Sequence, residues 1–207
     1  MKNKGLIGVS ICSVVVTLLV YSRLPGEVAI HFNMVGEADG FGPKWLVLVL
    51  GGLPLITIGL FQMLPNLDPK KEAYQKFEKP YQRILLAVTV MLVSVHWMIL
   101  LVALGYDINI AVLTQLFISL LIIVMGNYLG QIKPNYLVGI KTPWTLASDR
   151  VWVKTHRQGA KFFVLSGLIG LLGMFTSSSV QIFWLIGPLV VTIVGLVVYS
   201  YYLFKQE

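Results

Sequence analysis

The chain has 207 residues, of which 57% are hydrophobic and 12% are charged, and its mean hydropathy is +0.80. Soluble domains carry about 25% charged residues, so this composition excludes an ordinary soluble fold and indicates a membrane protein. In a soluble protein the net charge of +7 would favour nucleic-acid binding. In a membrane protein, the distribution of this charge between the loops first indicates how the helices are oriented in the membrane. Because the chain has a single cysteine, Cys12, it cannot form an internal disulfide. We expect one integral membrane domain over 1–207.

Six apolar runs predict an all-α membrane protein with six transmembrane helices. They cover roughly residues 6–21, 45–64, 84–104, 110–128, 162–175 and 182–204. About 20 helical residues cross the hydrocarbon core, so the short first and fifth runs need flanking residues or a thinner bilayer. The first run lacks a small-residue cleavage site, and we therefore interpret it as a retained helix and not a signal peptide. In the fifth run, Ser166 and Gly170 form a small-xxx-small pair that lets a neighbouring helix approach closely.

The distribution of basic residues predicts the orientation of these helices. With the N-terminus inside, fourteen Lys and Arg residues, Lys2 among them, fall in cytoplasmic segments. Only Arg23 and Lys44 then fall outside. The positive-inside rule therefore predicts a multi-pass protein of the bacterial cell membrane with both termini in the cytoplasm. The charge would attract anionic inner-leaflet lipid, and we expect no nucleic-acid partner.

The outer loop, 22–44, reads SRLPGEVAIHFNMVGEADGFGPK. Apolar residues alternate with other residues from Val28 to Phe32, which is the period of a β-strand. Gly36 and the Asp-Gly pair 39–40 are turn signals. We predict a short strand or a small hairpin that lies over the outer ends of the helices.

The first inner loop spans 65–83. Asp68 is placed to N-cap a helix whose first residue is Pro69. Four apolar residues then share one helical face, and lysines surround the other face. The apolar residues are Ala73, Tyr74, Phe77 and Tyr81. This pattern favours an amphipathic helix on the membrane surface, with its apolar face toward lipid.

The second inner loop, 127–161, contains the string GIKTPWTLASDRVWVKTHR. Thr142 can N-cap a helix that begins at Pro143, and Ser148 offers a second start. From Ser148 onward, cations recur at helical spacing, and the helix can continue into the fifth apolar run. These cations are Arg150, Lys154, Arg157 and Lys161. A basic stripe beside interfacial tryptophan is typical of a cytoplasmic membrane surface.

Groups suited to catalysis are sparse. The predicted spans contain no Asp or Glu, and their one ionisable residue is His96. Such a histidine is either a proton site or, more commonly, a neutral group bonded to a neighbouring helix through a partner such as Ser94 or a backbone group. His31, Glu37 and Asp39 share the outer loop, but their spacing matches no standard metal site. We expect no metal, no cofactor and no catalytic residue.

Two stretches resemble a known family. LPGEVAIHFNMVGEADGFGPK resembles the DUF1648 motif, in which Leu-Pro precedes HFN, then glycine, then DG. IKPNYLVGIKTPWTLASDRVWVKTHRQGAK is similar to the signature of the SdpI family of immunity proteins. The two stretches cover about fifty residues, and the chain length and the six-span layout also fit the family.

The resemblance implies a non-enzymatic membrane protein that protects a bacterium against a secreted, membrane-active peptide toxin. It also implies a second role, in which the protein senses the toxin and sequesters a cytosolic transcriptional repressor. The outer candidates for toxin binding are Pro25, His31, Phe32, Asn33, Gly36, Asp39 and Gly40. The inner candidates are Asn127, Pro134, Asn135, Gly139, Thr142, Pro143, Trp144, Thr145, Trp152, Thr155, His156 and Arg157. The motif predicts arginine at position 141, but this chain has Lys141. Lysine keeps the positive charge but lacks the planar fork with which arginine forms two parallel hydrogen bonds to a phosphate or carboxylate.

Alternatives stay open at this point. The inner motif can be a docking surface for a cytosolic partner, or a structural plug that ties the fourth and fifth spans together. The chain can instead be a transporter or membrane enzyme that uses His31, His96 or His156. A third hypothesis is pure signalling, with repressor recruitment and no protection.

Overall fold

A computed structural model describes residues 3–207, and the predicted cytoplasmic charge of Lys2 lies outside the described residues. Helix α1 and a 3-10 turn precede an antiparallel hairpin, and eight further helices follow. The elements are α1 (Lys4–Val20), the turn (Tyr21–Arg23), β1 (Glu27–Phe32), β2 (Ala38–Pro43), α2 (Trp45–Leu67), α3 (Ala73–Lys76), α4 (Glu78–Ala103), α5 (Ile110–Leu129), α6 (Pro143–Ala147), α7 (Asp149–Gly173), α8 (Ser178–Gln181) and α9 (Phe183–Lys205).

The mostly helical membrane fold is confirmed. Five segments of the described chain are helices long and apolar enough to cross a membrane: Lys4–Arg23, Trp45–Leu67, Glu78–Ala103, Ile110–Leu129 and Ser178–Lys205. The fifth predicted run, 162–175, mostly falls within the second half of α7, whose first half carries the polar residues of the inner motif. The helix therefore continues from Ser148 into the apolar run, as the sequence predicted.

Helix α7 runs antiparallel beside α5. Near the N-terminal end of α5, the Gln115 side chain donates to the carbonyl of Gly170 at 2.8 Å. Just beyond the C-terminal end of α5, Gly130 lies against Arg157. Between these ends the small residues of α7 allow close contact, because a Cβ atom on Gly167 would lie 2.7 Å from the Ser119 carbonyl oxygen. The prediction of a small-residue contact surface on this helix is confirmed.

The predicted outer hairpin is present, but the predicted alternation along β1 is wrong beyond Val28. Val28 and Ala29 are both buried, and Ile30 is exposed. Ala29 pairs with Phe41 and His31 pairs with Gly40, so Ile30 is an extra residue that shifts the register. A bulge of this kind interrupts the alternation of side chains, so that Ala29 is buried beside Val28 and Ile30 faces solvent.

The base of the hairpin is anchored in an apolar cluster at the outer end of the bundle. Its buried members come from the hairpin and from α2 and α4: Leu24, Val28, Val47, Ile99 and Leu100. Because Val28 is 2% exposed and Leu100 is fully buried, this cluster fixes the strands over the helices. The tip of the hairpin projects beyond it.

The first inner loop differs from its prediction in two ways. Asp68 does not N-cap a helix, because α2 ends at Leu67 and the next helix, α3, begins at Ala73. The face that holds Tyr74, Phe77 and Tyr81 also packs into the protein and not against lipid. These rings join a buried cluster with Trp152, because the chain bends at Phe77 (φ −133°) and folds back over the bundle.

His96 lies in the middle of α4 and is 1% exposed. Its Nε2 lies 2.9 Å from the Thr17 hydroxyl of α1, so the predicted bond to a neighbouring helix is confirmed. The predicted partner Ser94 is wrong, since its hydroxyl donates to the Val90 carbonyl. Gly51 of α2 faces the His96 ring, where a Cβ atom would come within 2.9 Å of the ring. His96 therefore packs at a contact of three helices.

Candidate functional site

The hairpin tip, residues 31–39, is shaped by one asparagine. The Asn33 carboxamide oxygen accepts hydrogen bonds from the backbone N–H groups of Val35 and Glu37, both at 3.0 Å. Its nitrogen donates to the Glu37 carboxylate at 3.1 Å, and its backbone N–H donates to the Glu37 carbonyl at 2.8 Å. Gly36 completes the turn with a φ of +88°, which favours glycine. Asn33 therefore acts first as the residue that folds the tip.

One polar pair on the hairpin is open to solvent. His31 Nδ1 and Asp39 Oδ1 are 2.5 Å apart, and their side chains are 72% and 43% exposed. Gly40 lets the two strands approach here, because a Cβ atom on it would lie 2.8 Å from the His31 Cβ. Pro25 is exposed just before β1, and Phe32 is half-buried at the tip. The outer candidate residues thus lie on one small structure.

The hairpin also exposes apolar side chains that the sequence analysis did not single out. Met34 at the tip is 65% exposed, and Phe41 in β2 is 61% exposed. Together with the His31 and Asp39 pair, they give the hairpin a mixed apolar and polar surface. Within residues 3–207, no group of three or more histidine, cysteine, aspartate or glutamate side chains is close enough to hold a metal ion.

At the opposite end, the two inner loops meet at a buried carboxylate. Asp68 is 3% exposed, and its Oδ2 accepts hydrogen bonds from the N–H groups of Tyr136 and Leu137 at 3.0 and 3.2 Å. The Tyr74 hydroxyl donates to the same oxygen at 3.0 Å, and the Lys70 N–H donates to Oδ1 at 2.8 Å. Burial and the Asp68 carboxylate raise the pKa of Tyr74 above its ordinary range, so this hydroxyl stays protonated and donates.

Asn135 folds the segment that Asp68 holds. Its oxygen accepts from the N–H groups of Leu137 and Val138 at 3.0 and 2.7 Å, and its nitrogen donates to the carbonyls of Lys133 and Val138 at 2.8 and 2.9 Å. The Asn135 side chain is 2% exposed, and both its oxygen and its nitrogen form hydrogen bonds with the backbone. Asn135 therefore fixes the turn that follows Pro134. We call this region, residues 68–77 and 130–148 with Trp152 and His156, the inner cap.

His156 is a buried structural residue of the inner cap. Its Nε2 accepts the Ile140 N–H at 2.9 Å, so its Nδ1 carries the proton and donates to the Trp152 carbonyl at 2.9 Å. The His156 and Trp152 rings stack at 4.1 Å. Gly139 passes over them with a φ of +125°, and a Cβ atom there would lie 2.5 Å from Nε2. Burial lowers the pKa of His156 to about 4, so the ring is neutral at pH 7.

The threonines of the inner motif form the helix start that the sequence predicts. Thr142 caps α6 with Pro143 at its first turn, and Thr145 completes a capping box. The Thr142 hydroxyl also lies 3.0 Å from Ser200 of α9. Trp144 packs on Tyr201 of the same helix, with ring centroids 5.0 Å apart. These contacts fasten the inner cap to the last helix of the chain.

The remaining inner candidates separate into buried and exposed residues. Thr155 is fully buried, and its hydroxyl has no hydrogen-bond partner in the described chain. Asn127 is exposed at the end of α5, and Arg157 is exposed on α7. Arg157 lines an open depression with Lys154 and Lys161, which we call the basic patch. Among described residues, none of these three cations pairs with a carboxylate.

Sequence reasoning missed several residues that hold these sites together. Asp68 is the main one, since a lone aspartate before proline predicts a helix cap and not a bond to a segment almost seventy residues away. Gln115 and Gln181 are also buried, at 2% and 3% exposure, and no spacing in the sequence links them. The single signal was their chemistry, because an amide inside an apolar run needs a partner.

The fold and these sites define a class of protein first. Apolar helices long enough to cross a bilayer, with a structured hairpin at one end and a closed cap at the other, describe a multi-pass membrane protein.

The chain is similar to two described protein families and to a named bacterial protein. The SdpI/YfhL protein family matches residues 131–202, and the domain of unknown function DUF1648 matches residues 8–58. The chain is also similar to "Immunity protein SdpI" of Bacillus subtilis (strain 168), with 26% identity over 98% of this chain and 97% of that protein. No solved structure matches. The chain is thus similar to the SdpI family, and it is a multi-pass protein of the bacterial cell membrane.

Proposed function

We propose that this chain is an immunity protein that protects a bacterium against a secreted, membrane-active peptide toxin, without enzymatic turnover. The observation that carries the proposal is the likeness to an immunity protein over almost the whole chain. The likeness extends over 98% of this chain and so includes the segments that form both the hairpin and the inner cap. The proposal thus concerns the complete membrane bundle.

The proposed topology has six crossings and both termini in the cytoplasm. It is supported by α7, whose 25 residues run beside the spanning helix α5 from end to end. The apolar half of α7, residues 162–173, would cross, and its polar half would lie at the inner surface. Cysteine-accessibility labelling of Met34→Cys and Glu207→Cys in a Cys12→Ser background tests this. Labelling of both from the same side would contradict the six-helix topology.

The outer hairpin is the proposed toxin-contact surface. A secreted peptide meets the outer face first, and the hairpin offers the exposed His31 and Asp39 pair beside exposed apolar side chains. The test is survival of a sensitive bacterium that expresses the chain, challenged with peptides fractionated from bacterial culture medium. We expect wild-type protection against one peptide, and at least a tenfold loss with His31→Ala/Asp39→Ala at equal membrane level.

Asp107→Ala is the matched control for that experiment. Asp107 is an exposed carboxylate in the turn between α4 and α5 and is not part of the hairpin. Full protection by this variant, with loss in the hairpin double variant, would assign the effect to the hairpin. Equal protection by both would move the toxin contact elsewhere.

A second proposed role is at the inner face, where the basic patch is free of carboxylate partners in the described chain. We propose that it binds anionic inner-leaflet lipid, and that toxin sensing with repressor sequestration would use the same exposed face. A Trp144→Ala/Arg157→Ala variant that reaches the membrane and still protects would assign the inner surface to these roles and not to immunity. If a pull-down from cytosol captures no repressor, the proposed repressor sequestration is contradicted.

The transporter or enzyme alternative is less well supported. Both ring nitrogens of His156 are bonded inside the inner cap, and His96 is buried among helices. His31 alone faces solvent. If one of His31→Gln, His96→Gln or His156→Gln abolished a measured turnover or transport while the protein stayed folded, this alternative would replace immunity.

A further inference from the structure

A small cavity lies at the outer face, beneath the hairpin tip. Its volume is about 210 Å³, and three regions of the chain surround it. The tip contributes Phe32 and Met34, α5 contributes Ile110 and Ile118, and α9 contributes Leu185. These side chains make the cavity mainly apolar.

The cavity forms where the two matched family segments meet. Gly36 belongs to the segment 8–58, and its lack of a side chain lets the tip sit on α5, because a Cβ atom there would lie 2.9 Å from the Ala111 nitrogen. Gln181 and Leu185 belong to the segment 131–202. The cavity therefore depends on both halves of the protein, and neither half forms it alone.

Two buried glutamines form its polar wall. The Gln115 nitrogen donates to the carbonyls of Gly170 and Gln181, at 2.8 and 3.2 Å. The Gln181 nitrogen donates to the Ala111 carbonyl at 2.9 Å. That bond fixes the carboxamide orientation, because the reverse orientation would set two oxygens against each other. The Gln181 Oε1 is then left without a donor in the described chain, although it is buried.

An unpaired buried acceptor is costly and marks a site that a donor would stabilise. The cavity is smaller than pockets for drug-sized ligands, which occupy about 300–1,000 Å³, and has room for about one side chain. A lipid acyl chain would fill the apolar part but brings no donor. An aliphatic amino-acid residue brings both an apolar side chain and a backbone N–H.

We propose that this cavity binds one aliphatic residue of an extended peptide, with the peptide N–H donated to Gln181. The inference rests on the proposed function, because it names the part of a peptide toxin that the outer face would hold. Met34 is exposed and flexible at the cavity wall, so it can adapt its packing to the bound residue. The Gln181 oxygen has almost no exposed surface, so binding requires a small local movement of α8.

A small probe tests the cavity without any toxin. The full chain is placed in phospholipid nanodiscs as a Cys12→Ser/Thr114→Cys variant, because Thr114 lines the cavity. The rate of alkylation by N-ethylmaleimide is measured with N-acetyl-L-leucinamide at about 20 mM. We expect labelling to slow about tenfold, because a probe of this size binds with a Kd of about 2 mM. A Cys12→Ser/Tyr106→Cys control lies outside the cavity and should be unaffected.

Two further probes separate the possible occupants. N-acetylglycinamide has the N–H groups and no aliphatic side chain, and isoamyl acetate has the aliphatic group and no donor. Neither should slow labelling of Thr114→Cys as leucinamide does. Equal slowing by isoamyl acetate would show a site for any apolar group, lipid included, and would overturn the proposal. Unchanged labelling with leucinamide would also overturn it.

Substitutions then connect the cavity to immunity. Thr114→Phe fills the cavity, and we expect at least a tenfold loss of survival in the protection assay, with Leu113→Phe on the same helix as control. Gln181→Met should remove the effect of leucinamide on labelling. If wild type protects and Thr114→Phe protects equally, the cavity proposal fails while the proposed function stands. If wild type protects against no peptide, the proposed function fails, and the labelling result still decides whether the cavity binds peptide groups.

Discussion

The hairpin tip and the inner cap both contain a turn folded by an asparagine, but their histidines lie in different environments. Each contains an asparagine, Asn33 or Asn135, whose oxygen accepts two backbone N–H groups and folds a turn. Their histidines differ, since His31 has a side chain 72% exposed, whereas His156 is fully buried with both nitrogens bonded. The cap is thus built for stability, and the tip keeps polar groups available at the surface. The predictions below test this difference.

The largest effect is expected at the carboxylate that joins the two inner loops. Asp68→Ala leaves buried N–H donors of Tyr136, Leu137 and Lys70 without an acceptor, so unfolding should become easier by about 3–5 kcal/mol. Thermal unfolding in detergent measures this. Glu72→Ala removes an exposed carboxylate of the same loop and should change little. Equal melting temperatures for the two variants would contradict the role of Asp68.

The next largest effect is expected at Gly139. Gly139→Ala places a Cβ atom 2.5 Å from His156 Nε2 on a backbone with φ +125°, so clash and backbone strain together should cost about 3 kcal/mol. Gly105→Ala is a matched control, because its φ is +89° and its Cβ position is open. It should cost about 1 kcal/mol, the backbone part alone. A similar loss in both variants would mean that contact with His156 is unimportant.

A pH effect of intermediate size is expected from His156. Its folded pKa of about 4 lies below the ordinary value near 6.5, so the unfolded chain binds more protons between these values. Its contribution to stability is complete above about pH 6.5 and is lost progressively as the pH falls toward 4. Between pH 7 and 5 the loss should be about 2 kcal/mol. In His156→Gln the stability should depend less on pH over this range, and an unchanged slope would contradict the assignment.

A smaller effect is expected where the inner cap packs on α9. Trp144→Ala removes the ring contact with Tyr201, and because Trp144 is only half-buried the loss of stability should be about 1 kcal/mol. Tyr202→Ala truncates an exposed neighbouring ring and serves as control in the same thermal assay. A loss as large as that of Asp68→Ala would mean that this contact helps to hold the whole cap.

The smallest stability effect is expected at the hairpin tip. His31→Ala should change the free energy of unfolding by less than about 1 kcal/mol, because an exposed pair contributes little. Under the proposed function the same variant should weaken toxin protection, so function and stability would separate here. Circular dichroism melts and the survival assay measure the two. A large destabilisation would show that the tip, like the cap, is structural.

The sequence determined the features that depend on local composition and spacing. Apolar runs predicted the helical membrane fold, the turn residues of 22–44 predicted the hairpin, and Thr142 and Ser148 marked the starts of α6 and α7. These predictions succeeded because bilayer thickness and helix capping act over a few neighbouring residues. The resemblance in two motifs also indicated the family that the comparisons found.

Only the tertiary structure decided which polar groups meet. Asp68 accepts hydrogen bonds from residues of the other inner loop, and the tyrosine face of 73–81 packs on Trp152 and not on lipid. A bulge at Ile30 breaks the alternation of β1 and leaves Ile30 exposed. The glutamines that line the outer cavity come together from α5 and α8 in the same way. Each depends on segments far apart in the chain, and in an apolar bundle a buried polar group is stabilised by whichever partner the packing brings to it.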